Sequence, residues 1–317
     1  MRRTVTYKFQ SKASSFDITG NLPSFVQNIL YYAKAEKIVF KEGVMLIQHY
    51  SHVLFYLELT TYELHADLNA SYFNEKTRLF LFMMLKGNIS FFAKNGLPIS
   101  QAEQDICYAT YNRKEEFLYF LPKGQHQFCY IMPRTAWLDT GTDQYSRLGQ
   151  FLQSMKSDRT LFGHLSPCKI NQSLQSLLGH IFSLKYENPI DLEFDLTKYI
   201  KATINQFQLL LDEKFSQRVY QIKEYIDQNF SSLNLDNKTL SSIFFTTEKT
   251  LIKTFRQKFG TTPHNYLTNV RMEKAKNLMI FEKIPPSRVF SFVGYSDFNS
   301  FRKQFKKYFG IPPSECF

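Results

Sequence analysis

Along the chain, apolar positions change period twice. From Lys37 to about Met132 they alternate in short runs, and after Trp137 they recur every three or four residues. The runs Val44–His49, Val53–Leu59, Thr77–Leu85, Ile89–Ala93, Phe117–Leu121 and Gln127–Met132 are rich in β-branched and aromatic residues, which predicts strands. Between them lie the turn formers Lys86-Gly87-Asn88, Asn95-Gly96 and Pro122-Lys123-Gly124. Asn95-Gly96 is the strongest hairpin signal, since both residues tolerate positive φ. Short strands at this spacing predict an antiparallel barrel or jelly roll. Ahead of them Leu22, Phe25, Ile29 and Tyr32 share one side of a short amphipathic helix expected over Leu22–Ala33.

In the helical part, Leu148, Phe151, Leu152 and Met155 suit one helix, and Leu174, Leu177, Leu178 and Ile181 a second. A third is expected from Leu192 to about Leu211, with Leu196, Ile200, Ile204 and Phe207 in its stripe, as a dimer seam or as a cover for the strands. A boundary is placed near Asp212–Ser216. Beyond it Val219, Ile222, Ile226 and Phe230 open a new helical bundle, followed by a short helix over Asp236–Phe244. A long connector covers Pro263–Met279, and another short helix Pro286–Val293. The expected class is α+β, in three regions: a strand-built sensor at 1–140, a helical coupling or dimerisation region at 141–212, and an all-α domain at 216–317.

That last region repeats itself. Thr246–Pro263 reads TTEKTLIKTFRQKFGTTP, and fifty residues on, Ser296–Pro313 reads SDFNSFRKQFKKYFGIPP. In each copy Thr246 or Ser296 suits an N-cap. Leu251, Phe255 and Phe259, or Phe301, Phe305 and Phe309, make an apolar stripe, and Gly260 or Gly310 ends the helix. Lys249, Lys253 and Arg256 lie opposite the first stripe, and Asn299, Lys303 and Lys306 opposite the second. A helix anchored by aromatics and cationic on its outer face fits a DNA major groove.

Charge sharpens the picture. The 317 residues carry a net +11, but Ser216 to the end holds 16 Lys+Arg against 8 Asp+Glu, a net +8, so the first 215 residues carry only +3. The excess sits with the repeat and points to a polyanion there. Cys107, Cys129, Cys168 and Cys316 form no C-x-x-C pair, which fits reduced thiols in a cytoplasmic protein. The N-terminal MRRTVTYKFQ lacks the apolar core of a signal peptide, and the longest apolar run, Leu79–Leu85, is far short of the ~20 residues that span a bilayer.

Val219–Phe317 resembles the AraC/XylS-type DNA-binding domain, two helix-turn-helix units joined by a long helix. The resemblance is carried by Leu235 and Leu240, Leu251-x3-Phe255-x3-Phe259-Gly260-x2-Pro263, Arg271-x3-Ala275-x2-Leu278, Gly294-Tyr295-Ser296-Asp297, Phe301-x3-Phe305, and Phe309-Gly310-Ile311-Pro312-Pro313-Ser314. It implies base reading by Lys249, Ile252 and Lys253 in the first unit and by Phe298, Asn299, Ser300 and Lys303 in the second, with Arg302 close by. For Phe298 core packing is the competing reading. Arg256 and Lys306 suit phosphate contacts, which orient without specifying sequence. Two departures stand out. Phe245 occupies a turn position that usually holds glycine, which implies strain. Phe290, where a small residue is usual, is expected to push its short helix outward and alter the angle of the second unit; Ser241, at the matching place in the first, is a mild change. The N-terminal part is similar to the family's cupin-like sensor barrels only in outline.

The chain is therefore expected to be an effector-responsive transcriptional activator in the cytoplasm. Its expected partners are double-stranded promoter DNA, RNA polymerase, a small-molecule effector and a second copy of itself. No cofactor is expected. Within the strands, His49, His52, Glu58 and His65 resemble a metal set, but the spacing is not H-x-H and alternation separates His49 from His52, so no metal is expected. His126 is the candidate effector contact. The alternatives are a ligand-independent regulator controlled by abundance or a protein partner, and a metal-dependent cupin enzyme fused to a DNA-binding domain.

Overall fold

The computed structural model describes residues 5–23, 26–139, 147–157, 160–186 and 188–315. They divide into two compact units, Met1–Asp212 and Glu213–Phe317. The junction expected at 140/141 lies outside the described residues, as does Cys316.

The first unit opens with β1 (Val5–Phe9), β2 (Ser14–Asp17), β3 (Lys34–Phe40), β4 (Gly43–Ser51) and β5 (Phe55–Leu64). It continues with β6 (Leu68–Asn74), β7 (Arg78–Lys86), β8 (Asn88–Ala93), β9 (Pro98–Glu103), β10 (Ile106–Asn112), β11 (Glu116–Leu121) and β12 (Gly124–Pro133). Helices α1 (Thr135–Asp139) and α2 (Arg147–Ser157) come next, then the short strands β13 (Phe162–His164) and β14 (Cys168–Lys169), and finally α3 (Gln172–Ser183) and α4 (Pro189–Ser216). Two antiparallel sheets result, a five-stranded one in the order β1-β6-β11-β8-β9 and a nine-stranded one built around β10-β7-β12-β5-β4. The expected antiparallel β architecture is present, but as two sheets sharing one core rather than one closed barrel.

That core alternates along each strand: Phe80, Phe82 and Met84 of β7 face Tyr72, Ile89, Phe117 and Tyr119 from the other sheet. Leu79, Leu81 and Met83 of β7 are just as buried on the opposite face. Tyr111 of β10, on that face, packs its ring on Phe151 of α2, 5.3 Å between centroids. Burial on both faces explains why β10 lacks a clean alternation, whereas β6 buries only the face of Leu68, Ala70, Tyr72 and Asn74. Asn95-Gly96 turns the β8–β9 hairpin as expected.

No helix forms among the described residues of 22–33. The buried amide of Gln48 on β4 takes the backbone groups a helix would have paired: Leu30 N–H donates to its Oε1 at 2.7 Å, and its Nε2 donates to Asn28 O at 2.8 Å.

The second unit is all helical: α5 (Arg218–Asn229), α6 (Asn237–Ile243), α7 (Glu248–Phe259), α8 (Pro263–Phe281), α9 (Pro286–Phe292) and α10 (Phe298–Phe309), with a 3-10 turn at Pro313–Glu315. It has two cores. Ile222, Ile226, Leu235, Leu240, Leu251 and Phe255 close one around Leu267, and Val289, Val293, Phe301 and Phe305 close the other around Met272, Ala275 and Met279. Leu267 and the latter trio all come from α8, and Phe230 is packed against both clusters. Arg271 of α8 adds a polar tie, donating to Phe230 O at 2.8 Å and Ser232 O at 2.7 Å. No described helix is long and apolar enough to cross a membrane.

Candidate nucleic-acid interface

Helices α7 and α10 are built alike and placed alike. Each has twelve residues, buries two large side chains on its inner face (Leu251 and Phe255, Phe301 and Phe305) and ends on a left-handed glycine, Gly260 or Gly310. Their N-caps fall one residue later than expected. Thr247 accepts from Thr250 N–H at 3.2 Å and Asp297 from Ser300 N–H at 2.8 Å, in place of Thr246 and Ser296. The carboxylate of Asp297 suits a helix N-terminus better than a hydroxyl does, because it meets the positive end of the dipole. Those hydrogen bonds first, and the neighbouring Lys303 charge after them, hold its pKa below the usual range.

The turns before the two helices differ. Thr246 N–H reaches Ser241 O and Tyr295 N–H reaches Phe290 O, so α6 and α9 correspond at an offset of forty-nine while α7 and α10 correspond at fifty. The second turn therefore carries one extra residue. In the first turn Phe245 sits at φ +48° and is almost fully exposed; in the second, Gly294 takes the same place at φ +77°. A side chain at Gly294 would meet Phe230 O at 2.7 Å and the Arg271 guanidinium at 2.8 Å, so there glycine is required twice over. The expected strain at Phe245 is present, with open solvent to receive the ring.

Among the candidate reading residues, Lys249, Lys253, Arg256, Asn299, Ser300, Arg302, Lys303 and Lys306 are exposed, and Ile252 is half-buried. Lys249, Ile252, Lys253 and Arg256 line one open depression together with Gln257, a neighbour the sequence reading passed over. Its spacing of four from Lys253 was the available signal, and the same spacing marks the exposed Lys307 after Lys303. Phe298 is placed differently: its ring is half-buried, 6.2 Å from Phe290 and 6.3 Å from Phe301. There it packs beside Phe290, itself half-buried against the second core.

Some cations of this unit are engaged by rings or a carboxylate. Lys223 pairs with Asp227 at 2.7 Å and lies over Tyr266, Lys258 lies over Tyr220, Lys276 over Phe309, Lys274 over Phe230, and Arg271 over Tyr295. These hold the fold together. Lys249, Lys253, Arg256, Arg302, Lys303 and Lys306 make no ion pair and no ring contact among the described residues, and they stand on the two matching helices. Near the end of α10, Tyr308 donates to Glu273 on α8 at 3.1 Å; burial first, then that carboxylate, push its pKa up to about 12.

In the first unit His126 departs from expectation. It is buried, its Nε2 is bonded to Pro122 O at 2.7 Å, and its Nδ1 accepts from Asn88 N–H at 3.2 Å. Both nitrogens are thus committed to backbone, and the ring braces two turns instead of meeting an effector. Burial lowers its pKa. His49, His52, Glu58 and His65 are not assembled into a ligand set. Glu58 is buried, accepting from Tyr7, Tyr56 and Thr60 hydroxyls, while His52 Nδ1 accepts from Leu54 N–H and His65 is exposed. A cavity of about 50 Å³ does lie between the sheets, lined by Tyr72, Phe82, Phe91, Tyr108 and Tyr119 among others. Into it reaches Asn112, whose Nδ2 donates to Tyr72 OH at 2.7 Å while its buried Oδ1 has no hydrogen-bond partner among the described residues.

A helix-turn-helix domain model matches residues 240–317. Over 125 residues, 39% of this chain and 50% of the relative, the sequence is 28% identical to the probable transcriptional regulator LumQ of Photobacterium leiognathi. It is 30% identical to the Msm operon regulatory protein of Streptococcus mutans, again over 125 residues, 38% of this chain and 45% of that protein. The C-terminal domain of AraT from Geobacillus stearothermophilus aligns at 27% identity with a TM-score of 0.31, covering 31% of this chain and 82% of that one. The chain spans about half the length of the curated relatives it matches. The second unit is a tandem helix-turn-helix domain. Both α7 and α10 lie within the matched span.

Proposed function

We propose that the protein is a sequence-specific transcriptional regulator that reads promoter DNA in the cytoplasm through α7 and α10 and acts by binding, not by catalysis. The observation that carries this reading is that two structurally matched helices each present a row of exposed cations, Lys249, Lys253 and Arg256 on α7 and Arg302, Lys303, Lys306 and Lys307 on α10. Lysine can donate to guanine O6 and N7, asparagine can pair with adenine, and arginine can grip phosphate. The 19 residues of α8 span roughly 28 Å at 1.5 Å per residue. With helix widths added, this matches two consecutive major-groove segments about 34 Å apart. One copy can then read an asymmetric site, and a homodimer two such sites.

The first unit is the effector-responsive part in this reading, with the cavity beside Asn112 as its site. The cavity has room for roughly three to five waters, or for the head of a small molecule that displaces them. An uncharged apolar ligand carrying one hydrogen-bond donor suits its aromatic walls and its open acceptor. Bound ligand shifts the chain toward the DNA-competent state, from which it activates with RNA polymerase.

Selection of genomic fragments by the purified chain, followed by footprinting, tests the central claim. The expected result is a recurring motif with protection over two adjacent major-groove segments. Equal retention of all fragments, with no motif, would overturn it.

A further inference from the structure

Across the nine-stranded sheet runs a row of sulfur side chains. On β10 Cys107 stands directly opposite Cys168 on β14 and, on its other side, opposite Met83 on β7, which in turn faces Cys129 on β12. Directly paired residues of antiparallel strands point to the same face, so all four side chains lie on one side of the sheet. Within this row Cys107 and Cys168 are the two cysteines that directly face each other. Both are thiols and both are buried, and the Cys107 Sγ–H donates to the Cys168 carbonyl oxygen at 3.5 Å.

We propose that Cys107 and Cys168 form a reversible disulfide under hydroperoxide stress, giving the first unit a redox input. Opposed residues on antiparallel strands lie about 4.5–5.5 Å apart at Cα, inside the roughly 4.4–6.8 Å range that disulfides occupy. Forming the bond draws the two Cβ atoms from the roughly 4.5–5.5 Å of such a pair to about 3.5–4.5 Å, a small tightening of the β10–β14 edge. Access comes from the weak side of the pair. Strand β14 has two residues and pairs only with β10, so it is the kind of edge that opens locally. Cys129 differs in place: β12 is flanked by β5 and β7, and Cys129 lies opposite Leu59 and Met83 with no thiol facing it.

The chemistry closes without a cofactor. As β14 opens, the Cys168 thiolate attacks the peroxide, its O–O bond breaks, a sulfenic acid forms and the first water leaves. Cys107 then attacks the sulfenic sulfur, the S–S bond forms, and the second water carries off the oxygen. Two thiols are oxidised and one peroxide is reduced to two waters. The product links positions 61 residues apart and fastens the run leading into α3, whose N-cap is Asn171, to the sheet.

The test uses the full chain, reduced and desalted, treated with a small molar excess of hydrogen peroxide, then alkylated in denaturant and mapped as peptides. The expected result is a Cys107–Cys168 crosslinked peptide within a monomer and a fall in titratable thiols from the four of the sequence to two. Dithiothreitol should reverse it, and the melting temperature should rise by roughly 5–15 °C. Cys129→Ser and Cys316→Ser should form the same crosslink, and Cys107→Ser should not. Four retained thiols would overturn the proposal, as would overoxidation of Cys168 without a crosslink, or pairing to Cys129 or Cys316 in comparable yield. The wild-type peptide map decides the matter even if Cys107→Ser does not fold. It is read without DNA, so its failure leaves the DNA-binding reading untouched.

Discussion

At the scale of single residues the two turns make a paired experiment. Phe245 and Gly294 occupy the same left-handed position, one against the preference of its side chain and one by necessity. Phe245→Gly should stabilise the helical unit by about 0.5–1 kcal/mol, the relief of a left-handed side chain less the entropy glycine brings to the unfolded chain. Gly294→Ala should cost about 2–4 kcal/mol, because the new methyl meets a backbone carbonyl and the Arg271 guanidinium. Urea denaturation of both variants would show it; equal shifts of one sign would refute the distinction. On the reading face, Lys303→Ala should weaken the cognate site by roughly 10- to 100-fold and random duplex far less. Equal losses on both would make Lys303 a phosphate contact only.

Among the elements, the helices were legible where one face is buried and the other wet. The stripes of α2, α3, α4, α7 and α10 could be read directly because tertiary packing enforces the period the sequence shows. What stayed hidden had physical reasons. Strand β10 is enclosed on both sides, and polar residues such as Asn74 of β6 and Asn112 of β10 sit inside and break the apolar pattern. The run 22–33 has helical spacing, but a glutamine forty-eight residues into the chain claims its backbone. The reading faces were visible as spacing, whereas the engagement of Lys258, Lys274 and Lys276 with rings was not, since their aromatic partners come from elsewhere in the chain. The cap of α10 carries its own prediction. Its carboxyl pKa is depressed below the unfolded value of about 3.9, so its contribution is present above about pH 4 and lost as pH falls through the lowered value. Asp297→Asn keeps a competent cap, so it should match the wild type near neutrality and lose stability less steeply in acid. An unchanged acid limb in circular dichroism would count against this.

For the whole molecule, the uneven charge sets how binding answers to salt. Seven outward cations on α7 and α10, Lys307 included, predict that the logarithm of the association constant falls with the logarithm of salt at a slope of up to about −6. Lys306→Ala should flatten that slope by about one while leaving the preferred motif intact. Fluorescence anisotropy across a salt series measures both, and an unchanged slope would remove Lys306 from the phosphate contacts. Helix α8 has a further consequence. One side of each core is a stretch of this same rod, Leu267 for the first and Met272, Ala275 and Met279 for the second. Melting either reader strips a wall from its twin, so the pair stands or falls together, and a site can be gripped with both hands or released with both, never held by one while the other lies unravelled.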